Sequence, residues 1–363
     1  MHKIILTTGG TGGHIFPAIA VAEQLRISWP NVEILFIGSN YGPEKDLAEK
    51  AGIEFAGLNV RGVLGRGFRA PIALLKLATA IPIACKLIKK FKPDCIAGFG
   101  GYASFAPVIA GFWVHVPILL HEQNAIPGSS NLFLSKFART ICTSLPNTEG
   151  IDKKKIIFTG NPVRKAIGVA RTGKRGESNS RRLLVLGGSQ GAHALNVYLP
   201  KILDELKKNN VEIIHQTGNK DWKVTAKEYE KHGYNASCAR PFIEDIATAY
   251  AWADIVLCRS GASTVAELCM AGLPAIFVPF PAAIHDHQTK NARALEMAGA
   301  ACLVPEDKIG EAGNILLDLM NKPEKLEKMS ENALKLATPD AAAGVVKAIQ
   351  SLIAHKKTNW ENN

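Results

Sequence analysis

The strongest constraint on the fold is an alternation. Short apolar runs, "KIILTT", "VEILFIG", "CIAGF", "PILLHE" and "RTICTS", then "RLLVLGG", "VEIIHQTG", "DIVLCRS" and "PAIFVPF", are separated by longer helical stretches. Strands joined by crossover helices pair in parallel, so the fold class is α/β with parallel sheets. The first strand of each half runs into its own glycine turn, "GGTGGH" at 9–14 and "GGSQGA" at 187–192. At 363 residues the chain is too long for one ordinary core and fits two domains. We expect a first domain over 1–162, a second over 163–340, and a helical segment 341–363 that returns to pack on the first. The polar stretch "RTGKRGESNSRR" at 171–182 reads as an exposed linker.

Glycine costs backbone entropy, so four of them within residues 9–13 mark a place where a ligand or another chain segment approaches the main chain. Open α/β sheets bind ligands at the carboxyl ends of their strands, where both glycine turns fall. A nicotinamide dinucleotide site would need GxGxxG and an acid closing the second strand, whereas this strand ends "FIGSNYG". Neither turn has the GK followed by Ser or Thr of a Walker loop. What remains is a helix N-terminus offering N–H groups to a diphosphate, with Ser189 adding a hydroxyl.

A second crevice segment, "CRSGASTVAELCMAGLPAIFVPF" at 258–280, carries a strand, a small-residue turn and a helix expected to begin near Thr264. Thr264 and Glu267 fit a capping box, so Glu267 reads either as a helix cap or as an acid for two ribose hydroxyls. The next loop supplies His285, Asp286, His287 and Gln288, without the further ligands that a metal site needs.

The seven cysteines lie far apart with no CxxC pair, which points to reduced thiols and a cytoplasmic protein, and the strand-like sequence from Lys3 leads us to expect no signal peptide. Residues Cys95–Leu120 hold no charged side chain, but their glycines and prolines divide them into strand, turn, short helix and strand. The net charge of +11 is uneven, and residues 61–92 carry eight Lys or Arg and no acid. Basic residues interleaved with Leu, Ile and Phe favour an anionic membrane surface over nucleic acid, and a solvated helix face is the bland alternative. Arg66, Arg69, Leu75, Ile83, Lys89 and Lys90 are the docking candidates, and Pro82 is expected to break this stretch into two helical pieces or a loop and a helix.

Five ordered motifs, "GGTGGHIFPAIAVAEQL", "HEQNAIPGSSN", "GNPVR", "GGSQGA" and the 258–280 segment, make the chain resemble the MurG family of glycosyltransferases of bacterial peptidoglycan synthesis, from Lys3 to about residue 345. The resemblance implies a GT-B fold, two Rossmann-like domains facing across a cleft, without a cofactor. It implies transfer of N-acetylglucosamine from UDP-GlcNAc to the C4 hydroxyl of the N-acetylmuramoyl sugar of undecaprenyl-linked lipid I, giving lipid II. Such an enzyme works as a peripheral protein on the cytoplasmic face of the membrane, where cell-wall and division machinery are candidate partners. By the same resemblance Ser189 faces the diphosphate, the Ile243 main chain meets the uracil, and Glu267 holds the ribose within the donor segment Ala262, Ser263, Thr264, Val265 and Ala266. Arg164 lies near the nucleotide, Asn124 and Gln288 contact the donor sugar, and Thr11, Gly12 and Gly13 form the turn nearest the reacting sugar.

Inversion at a sugar needs a base for the acceptor hydroxyl and stabilisation of the departing diphosphate. His14, in the first turn of a helix, reads as that base. Alternatively it hydrogen-bonds the "HEQN" loop, with Glu122 or another group as base. No DxD motif occurs, so no metal-bound diphosphate is expected. Two other classes stay open: another UDP-sugar enzyme of the same fold, such as a 2-epimerase or glycolipid synthase, and a non-catalytic nucleotide-sugar-binding scaffold.

Overall fold

The computed structural model describes residues 1–62, 70–146, 148–169, 181–188, 190–283 and 286–361. The chain divides into two compact units, residues 1–164 with 338–363, and residues 165–337. The docking candidates Arg66 and Arg69, Ser189, His285 and nearly all of the linker stretch at 171–182 lie outside the described residues.

In the first unit the described strands are β1 (Lys3–Thr7), β2 (Glu33–Ser39), β3 (Glu54–Leu58), β4 (Cys95–Gly98), β5 (Ile118–Glu122), β6 (Thr140–Thr143) and β7 (Ile156–Phe158). They form a parallel sheet in the order β3-β2-β1-β4-β5-β6-β7. Alternate residues serve opposite faces, as a strand's period of two dictates. Ile4 and Leu6 pack with the helix Gly12–Ser28 and with Val345, Ile349 and Leu352 of the C-terminal helix Ala341–Glu361. Ile5 points the other way, into a core with Leu77, Ala80, Ala84 and Ile88 of the helix Ala70–Phe91.

That helix corrects one expectation, because it runs unbroken for 22 residues with Pro82 inside it. Proline removes one N–H and crowds the carbonyl four residues back. Here Pro82 and Ala78 are both exposed, which puts the proline on the solvent side of the helix, while Ala80 and Ala84 on the opposite side stay packed in the core. Cys95–Leu120 becomes β4, a one-turn helix Tyr102–Ser104, the helix Phe105–Trp113 and β5. Among the described residues no helix is long and apolar enough to cross a membrane.

The second unit contains β8 (Arg181–Leu186), β9 (Val211–Gln216), β10 (Ala239–Arg240), β11 (Ile255–Cys258), β12 (Ala275–Phe277) and β13 (Ala301–Leu303), parallel in the order β10-β9-β8-β11-β12-β13. Its core gathers Leu183, Val185, Ile213 and Leu257 of the strands with Leu195, Tyr229 and Leu316 of the helices. In both units the strand order reverses beside the first strand, between β1 and β4 and between β8 and β11. The loops leaving those strands part there to opposite faces, which opens a crevice at their carboxyl ends.

Candidate active site

The glycine turn after β1 meets the turn after β4. Gly101 has φ +78°, and a Cβ there would collide with the carbonyl of Gly9. Thr8 Oγ1 donates to the Gly100 carbonyl at 3.0 Å, and the Gly10 N–H donates to the buried carboxylate of Glu44 at 2.8 Å. Part of the glycine run is therefore spent on another chain segment. Thr11 and Gly13 remain exposed, and the helix starts at Gly12 with Thr11 as an N-cap whose side chain makes no capping bond.

His14 stands half-buried in the first turn of this helix, its N–H on the Thr11 carbonyl. Its Nδ1 lies 3.0 Å from Gln123 Oε1, a residue of the "HEQN" loop after β5. Gln123 Nε2 donates to the Phe99 carbonyl at 2.9 Å and lies 3.2 Å from His121 Nδ1, while His121 Nε2 lies 3.1 Å from the Gly160 carbonyl. Burial, more than any other cause, lowers the His121 pKa to about 4; the Gly160 hydrogen bond opposes the shift and nearby His14 adds to it. His121 is thus neutral near pH 7.

Glu122 is also buried, and its carboxylate is committed. Oε1 accepts from the Asn124 N–H at 2.9 Å and from Asn124 Nδ2 at 3.2 Å; Oε2 accepts from Asn131 Nδ2 at 2.8 Å and the Gly128 N–H at 3.2 Å. It braces the loop that presents Asn124, which leaves it poorly placed as the base. Arg164 stacks its guanidinium on the Phe16 ring, 4.0 Å from the centroid, two residues beyond His14. The first unit thus gathers Thr11, Gly12, Gly13, His14, Asn124 and Arg164 around the carboxyl ends of β1, β4 and β5.

In the second unit the glycine turn after β8 packs on the turn after β9: a Cβ on Gly191 would collide with the Thr217 carbonyl. Gln216, the last residue of β9, ties the glycine turn to the segment after β10, its Nε2 donating to the Gly188 carbonyl and its Oε1 accepting from the Ile243 N–H, both at 2.9 Å. The Ile243 main chain therefore lies beside the glycine turn.

The segment after β11 corrects the capping box. The helix runs Ala262–Ala271 with Gly261 as N-cap, extended at φ −63° and ψ 144°, and no side chain caps it. The backbone is already helical from Ala262, so the helix begins before Thr264, and Glu267 falls in the second turn. Buried there, Glu267 accepts from the Tyr250 hydroxyl at 2.9 Å through Oε2. Ala262, Ser263, Thr264, Val265 and Ala266 are half-exposed around the uncapped end, whose N–H groups and dipole suit an anion. Gln288 adjoins it: the Ser260 hydroxyl donates to its carbonyl at 2.8 Å, and its Oε1 accepts from the Phe280 N–H at 2.9 Å. Among the described residues no group of three or more His, Cys, Asp or Glu is placed to hold a metal ion.

The hydrogen bond from His14 to the "HEQN" loop, one of the two sequence readings of this histidine, is present and is made by Gln123; the parts played by His121, Tyr250, Gln216 and Glu44 were not legible in the sequence. Gln123 and His121 sat inside a motif already noticed, while Tyr250 and Glu44 carried no local signal.

Two parallel-sheet units, each with glycine turns at its switch point, are the architecture of the GT-B nucleotide-sugar enzymes. Residues 4–143 match the glycosyltransferase family 28 N-terminal domain and residues 182–345 the glycosyltransferase family 28 C-terminal domain. The UDP-N-acetylglucosamine--N-acetylmuramyl-(pentapeptide) pyrophosphoryl-undecaprenol N-acetylglucosamine transferase of Nitratidesulfovibrio vulgaris is 47% identical over 359 residues, 97% of this chain and 98% of that one. The crystal structure of Acinetobacter baumannii MurG superimposes with a TM-score of 0.72 at 33% identity, covering 96% of this chain and 99% of that one. The UDP-GlcNAc 2-epimerase of Neisseria meningitidis, 17% identical with a TM-score of 0.66 over 96% of this chain and 100% of its own, shares the fold alone. The chain belongs to glycosyltransferase family 28.

Proposed function

We propose that the protein is an inverting N-acetylglucosaminyltransferase that moves GlcNAc from UDP-GlcNAc to the C4 hydroxyl of the MurNAc sugar of undecaprenyl-linked lipid I, giving lipid II. The observation that carries this reading is the end-to-end 47% identity to a transferase of that description. In the reaction the acceptor oxygen forms the new bond to C1 of GlcNAc, the bond from C1 to the diphosphate breaks, and UDP leaves with the electron pair. His14 takes the acceptor proton, supported by its place beside the exposed Thr11 and Gly13 and by a hydrogen bond that uses Nδ1 alone.

On the donor side, Glu267 takes the ribose hydroxyls with its carboxylate steadied by Tyr250. The uncapped start of the helix Ala262–Ala271, the turn containing Ser189 and the Arg164 cation stabilise the diphosphate, and Asn124 and Gln288 hold the donor sugar. The Ile243 main chain meets the uracil, and its N–H then leaves Gln216 for a base carbonyl. The exposed Leu75, Ile83, Phe112 and Trp113, with Lys89 and Lys90 close by in sequence, support docking of the first unit on the cytoplasmic membrane surface, where the acceptor is anchored.

The deciding assay is UDP release with and without a purified lipid I analogue, repeated with chelator. Acceptor-dependent release with transfer of GlcNAc is expected. Acceptor-independent change of UDP-GlcNAc would mark an epimerase, and binding without turnover a scaffold.

A further inference from the structure

We infer that His121 and Gln123 are positioning residues that fix the tautomer of His14, leaving Nε2 as its proton-accepting nitrogen. This rests on the reading of His14 as the group that works on the acceptor hydroxyl. The chain of hydrogen bonds is anchored at two backbone carbonyls, which can only accept. Because His121 Nε2 faces the Gly160 carbonyl at 3.1 Å, that nitrogen carries the hydrogen, and Nδ1 of the neutral ring is an acceptor. Because the Phe99 carbonyl stands 2.9 Å from one end of the Gln123 amide, that end is the NH2 group. Its second hydrogen points to His121, whose Nδ1 lies at 3.2 Å and whose carbonyl, which also can only accept, lies at 3.4 Å.

Both donors of Gln123 are then used, and its oxygen, 3.0 Å from His14 Nδ1, asks for a donor. Of the two neutral tautomers of His14, only the Nδ1–H form supplies one. Nε2, which has no hydrogen-bond partner among the described residues of this unit, is left with its lone pair. A single amide flip would set oxygen against the Phe99 carbonyl, so the polarity of the chain is locked. The first turn of the helix after β1, the turn after β4, the end of β5 with the loop that follows it, and the segment after β7 supply the links, a wiring that a parallel sheet makes possible by ending all its strands along one edge.

The other ionisable groups of the neighbourhood do not compete for Nδ1. Glu122 is spent on Asn124, Gly128 and Asn131, Glu44 receives the Gly10 N–H, and Arg164 lies on Phe16. Histidine in water favours the opposite, Nε2–H tautomer, so the fold acts against the intrinsic preference of the ring.

The test is heteronuclear NMR of the full chain with nitrogen-labelled histidine, the His14 signals being assigned by their loss in His14→Ala. Wild-type protein is expected to show His14 protonated at Nδ1 and bare at Nε2. Gln123→Met, close in size but without polar atoms, is expected to lose that preference and to lower kcat about tenfold or more, a part of what a general base supplies, with the KM for UDP-GlcNAc little changed. An Nε2–H His14 in the wild type, or the same tautomer and kcat in Gln123→Met, overturns the inference. The spectrum reads the tautomer whatever His14 does, so a fully active His14→Ala removes the base assignment and leaves the wiring to be judged on the spectrum.

Discussion

The hydroxyl of Tyr250 donates to Oε2 of Glu267 at 2.9 Å, both side chains being buried. An acid placed merely to cap its helix would turn to the helix's own N–H groups. This one is held by a neighbouring helix, Ile246–Trp252, which fixes the direction of its carboxylate. Glu267→Ala is expected to raise the KM for UDP-GlcNAc sharply and leave kcat at saturation nearer its normal value. Loss of the buried Tyr250–Glu267 hydrogen bond will cost about 1–3 kcal/mol of stability. Tyr250→Phe keeps the acid but removes the hydroxyl that helps to orient it, so its KM should rise less. Equal donor affinity in all three proteins would remove Glu267 from the ribose.

His14 and Glu122 were the rival bases, and the geometry separates their mutants. His14→Ala should lower kcat by roughly a hundredfold or more, the range of general-base catalysis, with UDP affinity and melting temperature nearly unchanged. Glu122→Ala strips the partners from Asn124, Gly128 and Asn131 at once, so it should lower the melting temperature as well as activity. A stable, inactive Glu122→Ala beside an active His14→Ala would reverse the assignment.

Gly101 and Gly188 share a left-handed backbone, at φ +78° and +77°, but differ in surroundings. A Cβ on Gly188 meets no atom within 4 Å, so Gly188→Ala should cost only the conformational strain, about 1–2 kcal/mol. On Gly101 it meets the Gly9 backbone, and Gly101→Ala must push the two turns apart. Denaturant unfolding should show the second loss exceeding the first, with activity falling because His14 follows the displaced turn. Equal losses would mean that the two turns do not pack as described.

His121 and His215 are wholly buried, and burial sets their pKa values to about 4 and about 3, from 6.5 in an unfolded chain. Between those values and 6.5 the unfolded chain binds protons that the folded chain refuses. Stability is therefore full above about pH 6.5 and falls as the pH drops toward 4 and 3, each unit of pKa difference being worth about 1.4 kcal/mol. His215→Leu should reduce the proton uptake on unfolding at pH 5 by close to one proton. An unchanged slope of stability against pH would show that His215 charges without unfolding the protein.

What the sequence revealed and what it hid follow from burial. The nine apolar runs became β1, β2, β4, β5, β6, β8, β9, β11 and β12. The strands without such a run, β3, β7, β10 and β13, are the four edges of the two sheets. An edge strand packs on fewer neighbours: Ile157 and Phe158 of β7 are exposed, and Glu54 opens β3, so hydropathy alone does not mark them. Thr264 matched a capping pattern, but the helix starts at Ala262 with Gly261 as its N-cap, so Thr264 falls inside the first turn. Pro82 looked like a break because its neighbours across the helix could not be seen. The contact between His14 and Gln123 spans 109 residues and exists only because β1, β4 and β5 end side by side. Motif residues were legible, as was the "HEQN" loop as a partner of His14, but the buried Tyr250, Gln216 and Glu44 that orient their neighbours were not.

The basic, apolar stretch now has a surface to be tested. Leu75 and Ile83 are exposed on the helix Ala70–Phe91, and the helix Phe105–Trp113 packs along it and ends with Phe112 and Trp113 exposed as well. Four large apolar side chains in water on two adjacent helices are costly unless something covers them. Lys89 and Lys90 fill the last turn of the first helix, and a cation near an anionic surface contributes about 1 kcal/mol. Apolar insertion and charge attraction together suit a lipid interface better than a solvated face does. Leu75→Ser with Trp113→Ser should weaken binding to vesicles containing anionic lipid at any salt concentration, whereas Lys89→Glu with Lys90→Glu should weaken it most at low salt. Both double mutants should slow transfer to a vesicle-embedded acceptor and spare transfer to a short-chain, water-soluble one. Unchanged vesicle binding, or equal loss with both acceptors, would return these residues to an ordinary solvated face.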